Sequence, residues 1–135
     1  MRTNLSSQIT LNRVSTKYYK PENAVERSVL TRFEKVPTDI YESVDEGVCH
    51  IANEIAGKIQ DRQREGKFFV IGAGTGASLR PLYAELVRKH KDEGLSFRNV
   101  VVFNLYEYYP LTPESAGSSF SQLKDLFVDQ IDIDK

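Results

Sequence analysis

The chain has 135 residues, 40% apolar and 27% charged, with a formal net charge of −1. That is the composition of one ordinary globular domain: it lacks the basic excess of a nucleic-acid binder, and no apolar run approaches the roughly 20 residues of a membrane-spanning helix. Nucleic acid and membrane are therefore not expected partners. The N-terminal stretch MRTNLSSQITLN has no continuous apolar core of the kind a signal peptide needs, so a cytoplasmic location is expected.

Residues 1 to 32 are expected to form an N-terminal extension, irregular up to Lys20, followed by a short helix. That helix has Pro21 at its first position, with Glu22 and Glu26 early in it and Val25 and Val29 on one face. A domain is expected over residues 33 to 135. Asp39 to Ser43, following Pro37, has the composition of a short edge strand. From Val44 the apolar residues fall at Val44, Val48, Ile51, Ala52, Ile55 and Ile59, the spacing of an amphipathic helix that runs to about Arg64 with Gly66 at its C-terminal cap. Cys49 lies in this pattern and is expected to be a small buried residue; as the single cysteine it forms no internal disulfide. His50 lies beside the apolar face with no other candidate ligand near it, and no spacing of His, Cys or Asp suggests a metal site.

Phe68 to Ile71 is an apolar run that passes into a turn with glycines at 72, 74 and 76, and the turn opens a helix. Glycines allow an anion to approach the backbone closely, and the first N–H groups of a helix have no intrahelical acceptor, so the turn suits a phosphate. Along the helix Leu79, Leu82, Tyr83, Leu86, Val87 and His90 share a face, Lys89 lies off it, and Gly94 ends it. Asn99 to Leu105 reads as a second buried strand, giving a strand–helix–strand unit with a right-handed crossover. Its ligands would sit beyond the carboxyl ends of the strands. A last helix begins at Ser118 or Ser119 and places Phe120, Leu123, Leu126 and Phe127 on one side. The expected fold class is α/β, an open, Rossmann-like parallel sheet flanked by helices.

The glycine turn is not a P-loop, because no Gly-Lys pair follows it, and GxGxG departs from the GxGxxG dinucleotide fingerprint. Instead, Val70 to Ile133 resembles the glucosamine-6-phosphate deaminases (isomerases) and their sugar-phosphate isomerase and 6-phosphogluconolactonase relatives. The resemblance rests on GTGAS followed by LYAELVRKHKDEGLSF, then NVVVFNLYEYYPL, PES and FVDQIDI. It implies a sugar-phosphate ligand held by Gly74, Thr75, Gly76 and Ser78, and no cofactor. The proline usual after the Ser/Thr is Leu79 here.

The family pattern F-N-x-D-E-Y is matched by Phe103 to Tyr108, with Tyr106 where the resemblance implies the aspartate base. With a reference pKa near 10, about one tyrosine in a thousand is ionised at pH 7, so Tyr106 is a poor base. Glu107 is the adjacent candidate, but neighbours in an extended segment point to opposite faces, so it is expected rather to be a polar group bonded to the loop backbone. The family's chain is about twice as long and carries a Gly-His motif in its later half, which is absent here, so the fold is expected to be incomplete. Two readings stand: a deaminase-like protein inactive as this chain, or a non-catalytic sugar-phosphate-binding or interaction module. A lactone hydrolase is a weaker third. Small parallel sheets leave apolar surface open, so either a missing C-terminal half or self-association is expected.

Overall fold

The structure, a computed structural model, describes residues 23 to 33, 36 and 38 to 134. These fall into two compact units, one ending at Glu42 and the other beginning at Ser43.

In the first unit, helix α1 (Ala24–Thr31) is started by Asn23, whose side-chain oxygen accepts the N–H groups of Val25 at 3.1 Å and Glu26 at 3.0 Å. Such a cap satisfies donors that the first turn leaves unpaired. The predicted start at Pro21 lies outside the described residues. Val25 and Val29, predicted to share an apolar face, are both exposed. The predicted strand Asp39 to Ser43 does not form: the segment up to Tyr41 is irregular and Glu42 and Ser43 bend. Strand-favouring residues make a strand only against a partner backbone, and Ser43 is instead committed to capping the next helix, accepting the Glu46 N–H at 3.1 Å.

The second unit begins with α2 (Val44–Arg64), which ends where Gly66 takes a φ of +66°. Strand β1 (Phe69–Ala73) follows, then a 3-10 turn (Ala77–Leu79) that runs directly into α3 (Arg80–Glu93). Gly94 closes α3 in the left-handed region at φ +73°. Strand β2 (Val100–Asn104), α4 (Ser119–Leu126) and a 3-10 turn (Val128–Gln130) complete the unit. The two strands pair in parallel, from Phe69 opposite Val100 to Ala73 opposite Asn104, so they end level with each other.

Strand side chains alternate between faces. One face of this sheet, with Phe69, Ile71, Ala73, Val100 and Val102, joins the core formed by Ala52 and Ile59 of α2, Tyr83 and Leu86 of α3, and Phe97, Leu123 and Phe127. The other face is open, with Val70 58% and Phe103 60% exposed. The continuous apolar runs that predict strands covered on both sides are therefore covered on one. Val44 and Ile51 of α2 are exposed as well, so the buried stripe of that helix is narrower than its apolar stripe. Along β2 and α4 runs a groove of about 430 Å³ that includes Val101, Asn104, Phe120 and Leu123.

Two side chains differ from expectation. Cys49 is exposed, because it sits off the buried line through Ala52 and Ile59. Lys89 is 7% exposed, its stem packed inward while its ammonium reaches Glu93 at 3.1 Å. Near the C-terminal end of the described chain, Asp132 accepts the Phe97 N–H at 2.6 Å and the Ser96 hydroxyl at 2.8 Å, pinning that segment to the α3–β2 connection. Burial opposes ionisation of Asp132, but these bonds outweigh it and hold its carboxyl below the usual range. Among the described residues no helix is long and apolar enough to cross a membrane, and no group of three or more His, Cys, Asp or Glu residues could hold a metal ion.

Candidate functional site

Because β1 and β2 end level, the chain segments leaving them meet at the carboxyl end of the sheet. Leu105 N–H donates to Ala73 C=O at 2.9 Å, carrying the pairing one step past β2. On one side lies the turn Gly74, Thr75, Gly76, Ala77, Ser78; on the other lie Tyr106 and Glu107. The amides of Ala77 and Ser78 stand at the start of a helical run, where helix geometry gives them no intrahelical acceptor.

None of the three turn glycines has a positive φ. Close approach accounts for Gly72. A Cβ on Gly72 would come within 2.8 Å of Leu105 Cδ2, and one on Gly74 would lie 3.5 Å from Tyr106 Cε1. Gly76 lacks such crowding, its nearest contact being Ser78 Oγ at 3.8 Å. Gly74 is buried and Thr75 half-buried, while Gly76 and Ser78 are exposed.

Tyr106 reaches back onto the turn. Its phenol oxygen accepts the Thr75 N–H at 3.1 Å and lies 3.1 Å from Thr75 Oγ1, which in turn donates to Ser119 Oγ at 3.4 Å. One set of proton positions satisfies all three bonds if the phenol donates to Thr75 Oγ1. If the Thr75 hydroxyl instead turns to donate to the phenol oxygen, that bond, followed by the Thr75 N–H, favours the phenolate and lowers the Tyr106 pKa. The ring remains 43% exposed and meets Tyr108 edge to face, with centroids 6.1 Å apart.

Glu107 points elsewhere, as alternation requires. Its Oε2 accepts the Ser118 hydroxyl at 2.7 Å and the Phe120 N–H at 3.0 Å, and its Oε1 accepts the N–H groups of Ser119 at 3.0 Å and Tyr108 at 2.9 Å. Four donors, led by the Phe120 amide, hold its pKa down to about 2 from the ordinary 4.5. The carboxylate thus sits on the first turn of α4, where the helix dipole favours negative charge. Ser118 completes the cap by accepting the Ser121 N–H at 3.2 Å.

Two contributors are not evident from periodicity. Tyr83 occupies an apolar position of α3, yet its hydroxyl donates to the Gly74 carbonyl at 2.6 Å, fixing the turn from beneath. Its ring stacks on Phe127 with centroids 5.1 Å apart, and burial pushes its phenol pKa up. The signal was a tyrosine among leucines, since a buried phenol needs a partner for its polar end. Ser119, buried at the start of α4, joins the same network. His90, by contrast, bonds the Leu95 carbonyl at 2.7 Å at the opposite end of α3. His50 lies on the exposed side of α2.

No family model matches the chain. It is 61% identical over all 135 residues to a glucosamine-6-phosphate deaminase-like protein of Bacteroides thetaiotaomicron, of which it covers 20%. A glucosamine-6-phosphate isomerase of Candida albicans is 36% identical over 94 residues, 70% of this chain and 37% of that protein. Among solved structures, a monomeric glucosamine-6-phosphate deaminase of the NagB superfamily superposes with a TM-score of 0.64 at 29% identity, over 70% of this chain and 37% of the other. The chain thus spans 20% to 37% of the relatives it matches, and its two-stranded sheet is an incomplete version of their α/β fold. In sequence and fold the chain is thus similar to glucosamine-6-phosphate deaminases and isomerases, matching a fragment of their N-terminal half.

Proposed function

We propose that the chain is the sugar-phosphate-cradling part of a glucosamine-6-phosphate deaminase-like protein, and that its own residues bind without catalysing. The observation that supports binding is the turn at the carboxyl end of β1. There a ligand phosphate would take the amides of Gly76, Ala77 and Ser78 and the hydroxyls of Thr75 and Ser78, with no residue conformation to change beyond side-chain rotation.

Two observations support the absence of catalysis. Tyr106 stands where the family places a carboxylate base, and its phenol is bonded to Thr75 rather than free to take a carbon-bound proton. Glu107 is held by four donors at the start of α4 and ionises near pH 2, too low for efficient proton abstraction at neutral pH. Glu107 is then a positioning residue that sets α4 against the turn. A cytoplasmic location fits a sugar-phosphate ligand, and the open sheet face favours cover by further polypeptide of the family fold or by a second copy of the chain.

The test is calorimetric titration of the 135-residue chain with glucosamine 6-phosphate, glucosamine and inorganic phosphate. Binding that needs the phosphate and is lost in Ser78→Ala with Gly76→Val is expected; binding of glucosamine alone would refute the assignment. Tyr106→Asp, placed in a complete deaminase domain carrying this segment, tests the catalytic half. Gain of deaminase activity is the expected outcome, and no gain would show that Tyr106 is not the missing element.

A further inference from the structure

We propose that Tyr106 is an internal occupant of the glycine turn, so that an anion enters only as the phenol leaves. The inference rests on the phosphate reading above and adds its regulation. The Thr75 hydroxyl that would meet a ligand oxygen already lies 3.1 Å from the phenol oxygen, and the adjoining Thr75 N–H donates to that oxygen at the same distance. The ring edge lies 3.5 Å from where a Cβ of Gly74 would stand, so the bare backbone of that glycine is covered by the tyrosine.

The phenol is held but not locked. Its ring is 43% exposed, and its bonds are made at the surface, so rotation about the side chain exchanges protein hydrogen bonds for water. Neighbouring groups do not offer a second anion seat at α4, because Glu107 already takes the Ser119 and Phe120 amides and contributes a negative charge. A ligand must therefore compete for Thr75. This separates two quantities: the affinity of the open turn, and the fraction of chains in which it is open. A Tyr106→Phe substitution changes the second while leaving the turn itself intact.

The test compares the chain with Tyr106→Phe, and with Tyr108→Phe as a control that keeps its ring contact, by titration with inorganic phosphate and with glucosamine 6-phosphate. Tyr106→Phe should bind both roughly threefold to tenfold more tightly, the factor of one net hydrogen bond, while Tyr108→Phe should bind as the unchanged chain does. In the absence of ligand, Tyr106→Phe should also shift the Thr75 amide proton resonance. Equal or weaker binding by Tyr106→Phe, where the unchanged chain binds, overturns the occlusion and leaves the phosphate site standing. An unmoved Thr75 resonance overturns it too. If neither protein binds either ligand, the phosphate reading fails and the occlusion fails with it.

Discussion

The hydroxyl of Tyr83 donates to the carbonyl of Gly74 at 2.6 Å, joining the buried face of α3 to the turn that carries the candidate site. Tyr83→Phe keeps the ring on Phe127 but leaves a buried carbonyl without its donor, an expected loss of about 1 to 3 kcal/mol. Chemical denaturation measures that loss. Glucosamine 6-phosphate should bind more weakly to the variant, because the turn loses its support; unchanged affinity would mean that the turn holds its shape without Tyr83.

Glu107 should set an acid limit on the second unit. Its folded pKa, near 2, lies below the ordinary 4.5, so its contribution to stability is complete above about pH 4.5 and is lost as pH falls through the folded value. Melting temperature should therefore be flat in this respect near neutrality and fall on acidification below 4.5, with a smaller acid-dependent fall in Glu107→Gln. Ser118→Ala removes the neighbouring cap and is expected to cost about 1 kcal/mol at neutral pH.

Glycines 57 and 94 should respond in opposite directions to alanine. A Cβ at Gly57 meets nothing within 4 Å inside α2, so Gly57→Ala should stabilise by about 0.5 to 1 kcal/mol. Gly94 closes α3 at φ +73°, and Gly94→Ala should destabilise by about 1 to 2 kcal/mol because Cβ crowds the carbonyl there. Paired denaturation curves check both signs.

The open sheet face predicts concentration-dependent association of the isolated chain. Val70→Thr with Phe103→Thr places strand-favouring, β-branched residues at both sites while making the face polar. Both sites are more than half exposed, so sedimentation velocity should show reduced association with little change in unfolding free energy. Association that persists unchanged would place the contact elsewhere.

Local rules served well where one residue type has one strong preference. The helix from Val44 to Arg64, its end beside Gly66, the stop at Gly94 and the strand–turn–helix around the glycines all follow from periodicity and backbone preference. Burial was less legible. Val44 and Ile51 belong to the apolar stripe of α2 but remain uncovered, and Cys49 is exposed, because what covers a stripe depends on elements distant in sequence. Asp39 to Ser43 has strand composition without a strand partner. At the site, the turn and Tyr106 were evident from resemblance, whereas the cap made by Glu107 depends on where α4 begins in space. The Tyr83 bond likewise required the path of the turn.

The level ending of β1 and β2 has a further consequence for Tyr106. Thr75 and Tyr106 are 31 residues apart and touch only because Ala73 stands opposite Asn104. Slipping one strand by a single residue would turn its side chains to the other face and carry the phenol away from the turn. The Thr75–Tyr106 bond is therefore a built-in ruler for strand alignment. A resonance assigned to it would distinguish correctly threaded molecules from compact, misaligned ones that share the same helices.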